Sequence, residues 1–325
     1  MYIDNLLLLL SKAGVGCYIG PIFAGALAYA DDIVLIAPTA TALRKLLIIC
    51  DEYANDYSIS FNAAKTKCLV AVPSSCRALF DGLHDCVFRI GNKPIEFVNS
   101  FCHLGHLINS ELSDDEDIIK RTNNFIGQVN NTLCYFRSLD SFVQNKLFQS
   151  YCTSFYGCEL WLLNNLKLED LCVAWRKSMR KIWKLPQQSH RYLLHLISGC
   201  LPVFDELCRR SMNFVRSCLS HDSRIIQFVA NYAVMHARSQ SFLGRNVLFC
   251  ARRYKFPVSS TILDELVSFD TLINSFVHSS TDENMRCFAN FLFELVMLRE
   301  RRLYLSDSVF LTEDVNDIIY FICTS

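Results

Sequence analysis

Apolar and polar positions follow two different periods along the chain, and the change falls near residue 113. The first part is mixed. An apolar run over residues 2–13 predicts a short helix, ended by Gly14 and Gly16. Residues 19–30 and 33–37 are apolar runs of strand length, with Asp31-Asp32 placed between them as a two-residue turn. Thr39 or Thr41 can cap a following helix whose apolar face is Leu43, Leu46, Leu47, Cys50 and Tyr53. Residues 58–62 and 68–72 read as strands. Residues 87–90 and 95–98 read as a hairpin about Gly91-Asn92, and 101–108 as a further strand.

From residue 114 the apolar period becomes 3.6. Ser113 with Glu116 three residues on forms a capping-box signature, and Ile118, Ile119, Phe125, Ile126, Val129 and Leu133 mark one long helix. Further helices are expected over 141–163, 166–185, 189–199, 203–220, 222–236, 239–253 and 284–304, with Pro186 and Pro202 at boundaries. The fold class is therefore α+β, with an α/β part over 1–112 followed by helices over 113–186 and a helical region over 187–325. No repeat of fixed period and no low-complexity segment interrupts it.

Composition narrows the class. With 325 residues, 51% apolar and 20% charged, the chain is long enough for two or three domains with real cores and too apolar for disorder. Sixteen cysteines without a C-x-x-C pair read as small core residues in a reducing compartment, which implies an intracellular protein of cytoplasm or nucleus. No membrane partner is expected. The most apolar stretch is interrupted by Asp31 and Asp32, and no basic segment precedes Leu6–Leu10 as a signal peptide requires.

The net charge of zero hides an uneven distribution. Residues 1–170 carry a net charge of −5, residues 171–256 one of +12 and residues 257–325 one of −7. The basic block holds Arg176, Lys177, Arg180, Lys181 and Lys184 at helical spacing, then Arg209, Arg210, Arg216, Arg224, Arg252, Arg253 and Lys255. Such a block is an electrostatic footprint for a polyanion, with the acidic end of the same chain as the competing partner.

Asp31 and Asp32 carry the most distinctive chemistry. Two adjacent carboxylates at a hairpin tip repel each other unless a proton or cation lies between them, and a hard divalent cation such as Mg²⁺ suits them. Two-metal phosphoryl transfer needs at least one further carboxylate from another strand. An ordinary Asp-Asp turn is the plainer reading of the dipeptide. Other constellations are weaker. Flat-strand geometry sends Cys102 and His106 to one face and His103 to the other, and the spacing of Cys200, Cys208, Cys218 and His221 is wrong for zinc. No G-x-S-x-G elbow, G-x-G-x-x-G or Walker loop is present, and Trp161, Trp175 and Trp183 read as core.

The segment Tyr29-Ala30-Asp31-Asp32, between Ala26-Leu27-Ala28 and Ile33-Val34-Leu35-Ile36, resembles the catalytic hairpin of reverse transcriptases, above all those of non-LTR (LINE-type) retrotransposons. Other segments resemble that family in the same order. They are Tyr2-Ile3-Asp4-Asn5-Leu6 with Gly14-Val15-Gly16-Cys17, then residues 60–68 (SFNAAKTKC), then residues 101–108 (FCHLGHLI), which resemble the primer-grip strand pair. The resemblance implies a partial palm over 1–112, thumb-like helices over 113–186 and a helical C-terminal region. It implies Asp31 and Asp32 as ligands of two Mg²⁺ ions and Tyr29 near the incoming nucleotide or primer end. Lys65 is implied near the triphosphate, and Leu104-Gly105 at the primer terminus.

The implied activity is RNA-directed DNA synthesis, with an RNA template and a DNA primer as partners. The family's upstream aspartate and fingers have no counterpart here. The chain is thus expected to match the C-terminal half of such a polymerase, to need the N-terminal half as a partner, and not to polymerise alone. The rival expectation is a non-catalytic helical protein that binds nucleic acid through residues 171–256.

Overall fold

The computed structural model describes residues 2–71, 87–236, 238–258 and 262–279, together with residues 286, 289, 290 and 293. Residue 72 of one expected strand and most of the helix expected over 284–304 lie outside the described residues. The chain divides into two compact units, Met1–Ser113 and Asp114–Ser325.

The first unit is α+β. Its helix α1 (Tyr2–Lys12) buries Leu6 and Leu10. Two hairpins follow, β1 (Tyr18–Ile19) with β2 (Ile22–Phe23), and β3 (Ala26–Tyr29) with β4 (Asp32–Leu35). The expected single run over 19–30 is broken because Gly20 turns the chain at φ 58° and Gly25 presses against the Phe23 ring. Helix α2 (Ala40–Asp56) is capped by Thr39, whose hydroxyl accepts from the Ala42 N–H at 3.1 Å. Of its buried positions, Leu46, Leu47, Cys50 and Tyr53 are divided between two small cores. Leu46, Cys50 and Tyr53 pack with Leu6, Leu10 and Ala26, whereas Leu47 packs with Phe88, Ile90 and Ile95.

The rest of the unit consists of short ladders. β5 (Lys67–Cys68) pairs in parallel with β8 (Glu96–Phe97), and β6 (Arg89–Ile90) pairs with β7 (Lys93–Pro94) across Gly91-Asn92. The Gly91 N–H donates to the Asp51 carboxylate at 2.8 Å and ties that hairpin to α2. Residues 58–62 do not form the expected strand. Ser58 has φ 53°, and Asn62 folds the following turn back on itself. Residues 101–108 are a hairpin rather than one strand, with β9 (Ser100–His103) against β10 (His106–Asn109). Among the described residues the ladders are separate two-stranded sheets, not one antiparallel sheet.

The second unit is helical. α3 (Asp115–Tyr135) begins after Asp114, with three acidic residues in its first turn favouring the positive end of the helix dipole. Asp114 does not cap its own helix. Its carboxylate accepts from the Leu162 N–H at 2.8 Å. The helix expected over 141–163 is broken. α4 (Ser141–Leu147), capped by Asp140, passes into a π-helical turn, Phe148–Cys152. Phe155 at φ 38° and Gly157 at φ 81° then reverse the chain and bring Trp161 into the core.

The remaining helices are α5 (Leu168–Ile182), α6 (Arg191–Ser198), α7 (Val203–Leu219), α8 (Arg224–Asn231), α9 (Phe242–Tyr254), α10 (Ile262–Val267) and α11 (Phe269–Ser279). A single core runs from Ile118 through Trp161, Trp175, Trp183 and Leu207 to Phe269, so packing is continuous across residue 186. All three tryptophans are buried in it, which leaves none as a stacking platform. No helix among the described residues is long and apolar enough to cross a membrane.

Candidate nucleic-acid interface and carboxylate hairpin

In the first unit the β3–β4 register pairs Tyr29 with Asp32, Ala28 with Ile33 and Leu27 with Val34. The two-residue turn is therefore Ala30-Asp31 and not Asp31-Asp32, and Asp32 is the first residue of β4. Ala30 takes φ 54°, the left-handed region that a side chain disfavours. The inner ends of the hairpin, Ala26 and Leu35, pack into the core, while Tyr29, Ala30, Asp31 and Asp32 are exposed at its tip. Tyr29 is 68% exposed. Both carboxylates thus project into solvent from one end of the hairpin, as oxygen donors within reach of a hard cation. Among the described residues no group of three or more His, Cys, Asp or Glu converges there or elsewhere. Two carboxylates alone fall short of the donor set that a two-metal site needs, and no reaction step follows from these residues alone.

Lys65 sits in a turn organised by Asn62. The Asn62 carboxamide oxygen accepts from the Ala64 and Lys65 N–H groups at 3.1 and 3.2 Å, and its backbone carbonyl accepts from the Thr66 hydroxyl at 2.9 Å. Lys65 is exposed, whereas Lys67, two residues on, is held by Glu96 at 2.5 Å. Leu104 and Gly105, at φ 46° and 81°, form the tip of the β9–β10 hairpin. Positive φ at both central positions is the type I′ geometry that matches strand twist.

That hairpin also changes the reading of the neighbouring histidines. His103 and His106 are cross-strand partners, so they share one face, and Cys102 faces Leu107 on the other. Flat-strand alternation had separated the two histidines. The turn between them reverses that placement.

In the second unit the basic block resolves into two kinds of cation. Its arginines are largely engaged within the fold. Arg176 pairs with Glu169 at 2.5 Å, and Arg209 and Arg210 both pair with Glu206. Arg210 also donates to the Ser154 and Thr153 carbonyls at 2.6 and 2.8 Å. Arg253 meets Asp205 at 2.9 Å, and the Tyr254 hydroxyl donates to the same oxygen at 2.6 Å. Arg180 donates through Nη2 to the Ser189 carbonyl at 2.7 Å, and burial, with Arg176 nearby, lowers its pKa from the ordinary arginine value. Arg176 and Arg180, expected at a nucleic-acid surface, thus also make contacts within the fold, Arg176 along α5 and Arg180 to the segment after it.

The lysines are placed differently. Lys177, Lys181 and Lys184 are exposed. Lys177 and Lys181 line a groove of about 510 Å³ between α3 and α5. Its floor includes Ile119, Ile126, Val129 and Val173, and its rims add Asn123, Asn130, Lys167 and Asp170. The Lys181 ammonium lies 3.4 Å from the Asn130 carboxamide oxygen. Lys184 lies beyond the end of α5, at φ 51°. The sequence reading missed the groove itself. Its signal was Ile119 and Ile126, seven residues apart on α3 and displaced from the buried stripe Ile118, Thr122, Phe125 and Val129.

The cysteines among the described residues are free, and burial pushes the thiols of Cys50, Cys158 and Cys172 up to about 12. In comparisons with known proteins, no family model matches the chain and no curated protein matches it.

Proposed function

We propose that the chain is part of an RNA-directed DNA polymerase of the non-LTR retrotransposon type, which holds an RNA template with its DNA primer and presents two of the metal-binding carboxylates. The observation that carries this reading is the exposed hairpin tip, where Asp31 lies in the turn and Asp32 opens β4, both in solvent. The order of the resembling segments supports it. Asp31 and Asp32 would hold the cation. When bound, Mg²⁺ neutralises charge on phosphoryl oxygens. Lys65, projecting from the Asn62 turn, adds a cation that can meet a triphosphate. Leu104-Gly105 offers a tight backbone turn against which a primer end can lie. In this reading the carboxylate pair needs a third acidic ligand before two-metal polymerisation can proceed.

A second reading has its own observation. Lys177 and Lys181 on the α3–α5 groove suit a sugar–phosphate backbone, and a helical nucleic-acid-binding protein requires nothing from Asp31.

Manganese binding separates the two readings. Mn²⁺ titrated into the chain with an RNA–DNA primer–template, followed by electron paramagnetic resonance, is expected to bind in an Asp31-dependent manner. Asp31→Asn abolishes that binding while the primer–template remains bound. Equal Mn²⁺ binding by both proteins contradicts the polymerase reading and leaves the second.

A further inference from the structure

We propose that the α3–α5 groove is the docking site of the chain's own acidic C-terminal segment, residues 307–322, which thereby competes with polyanions for Lys177 and Lys181. The docking stands on the groove and the sequence. The competition rests on the nucleic-acid reading above.

The groove has an apolar floor and a basic rim. Ile119 and Ile126 are 43% and 40% exposed, which leaves apolar surface uncovered along α3. Lys167, Lys177 and Lys181 face it along α5, with Asp170 the one carboxylate among the groove's lining residues. A free duplex would meet the lysines and leave the apolar floor unused. An amphipathic acidic segment uses both.

The chain carries such a segment. Residues 303–325 contain Asp307, Glu313, Asp314 and Asp317 and no lysine or arginine. Leu311, Val315, Ile318 and Ile322 recur at intervals of four, three and four, the period of one helical face. At that period Glu313 and Asp317 fall opposite the apolar stripe and Asp314 at its edge, while Ile319, Tyr320 and Phe321 extend apolar surface beyond it. Residues 311–322 at about 1.5 Å each measure ~18 Å, against ~21 Å along α5 from Lys167 to Lys181.

The last described residue, Phe293, lies beside the end of α5. The Phe293 ring packs on Trp183, at 6.4 Å between centroids, and on Phe142 at 5.3 Å. Trp183 caps α5 one residue beyond its end, two residues from Lys181. The eighteen residues from Phe293 to Leu311 reach at most about 60 Å when extended and ~27 Å when helical, so either state spans the groove.

The test uses the full chain. A zero-length carbodiimide cross-link followed by peptide mapping is expected to join Lys177 or Lys181 to Glu313, Asp314 or Asp317. Val315→Asp with Ile318→Asp is expected to lose the link, to raise amide exchange over residues 119–130 and 167–181, and to tighten salt-dependent RNA binding several-fold. Cross-linking absent from the wild-type chain, with exchange unchanged by the double substitution, overturns the docking. If the link forms and is lost on substitution while RNA affinity does not change, the docking holds and the assignment of the groove to nucleic acid fails. If no link forms and Lys177→Ser with Lys181→Ser still weakens RNA binding, the nucleic-acid assignment holds and the docking fails.

Discussion

The Trp161 indole donates its N–H to the Asp117 carboxylate at 2.9 Å, and both side chains are fully buried. Asp117 lies in the first turn of α3, with the Arg121 guanidinium 3.7 Å away. Trp161 follows the reversed segment at Gly157. With the Leu162 N–H bond to Asp114, this hydrogen bond fixes where that segment meets the long helix. Removing one partner strands the other without water. Asp117→Ala is expected to cost about 2–3 kcal/mol, and Asp117→Asn, which keeps an acceptor oxygen, distinctly less. All three tryptophans lie in the second unit, so the urea midpoint read by tryptophan fluorescence reports this unit alone. Equal loss in the two variants would show that the carboxylate charge beside Arg121, not the acceptor oxygen, matters there.

The hairpin tips make an opposite pair of predictions. Ala30 pays strain at φ 54°, where glycine does not, so Ala30→Gly should stabilise the first unit by about 0.5 kcal/mol despite its added chain entropy. Gly105, at φ 81°, is already the favoured residue, and Gly105→Ala should cost about 1 kcal/mol. Exchange rates of the most protected α2 amides measure both. A destabilising Ala30→Gly would mean that the methyl group makes a contact worth more than its strain.

The cations of α5 separate by role. Lys177→Ser with Lys181→Ser should leave the tryptophan-detected midpoint unchanged. It should weaken binding to RNA or DNA of any sequence and lower the slope of log K against log salt by about 2. Arg180→Ala should do the reverse, because it removes the guanidinium hydrogen bonds to the carbonyl of buried Ser189, at a cost of about 1–2 kcal/mol. A salt titration beside a urea melt reads both. Loss of binding in Arg180→Ala at full stability would return that residue to the interface.

His195 supplies a pH dependence. It is buried, and burial lowers its pKa from the ordinary 6.5, helped by His278 and opposed by Asp205. The unfolded chain then takes up the proton first as pH falls. The neutral histidine's contribution is complete above pH 6.5 and is lost from there down towards the folded-state pKa, at up to about 1.4 kcal/mol per pH unit. The urea midpoint of the wild-type chain should fall more steeply below pH 6.5 than that of His195→Gln. Parallel pH profiles would contradict this.

Local patterns were legible in the sequence where a side chain acts on its own neighbours. Thr39 caps α2 as its position before the apolar stripe implies, and Leu46, Leu47, Cys50 and Tyr53 are buried. The change of period near residue 113 falls where the chain divides. Turns held by residues without turn chemistry were not legible. Leu104 at φ 46° gave no local sign that residues 101–108 reverse, which only the resemblance to a strand pair implied, and Ala30 gave none that the turn sits one residue earlier. The fate of the basic block was hidden for another reason. Arg210 meets Thr153 and Ser154 more than fifty residues away, and Arg253 meets Asp205 across forty-eight, so only the tertiary fold reveals which cations remain for a ligand. The carboxylate pair itself was legible as residue types, and its exposure at a hairpin end comes from the β3–β4 register.

Primer extension tests the central reading most directly. The chain and its Asp31→Asn variant are each given Mg²⁺, deoxynucleotides and an RNA template with an annealed DNA primer, with primer–template binding measured in the same samples. The account predicts salt-sensitive binding by both proteins and incorporation by neither. Incorporation by the wild-type chain that Asp31→Asn abolishes would show a complete metal site within these 325 residues and contradict the account. Absence of primer–template binding would contradict it from the other side.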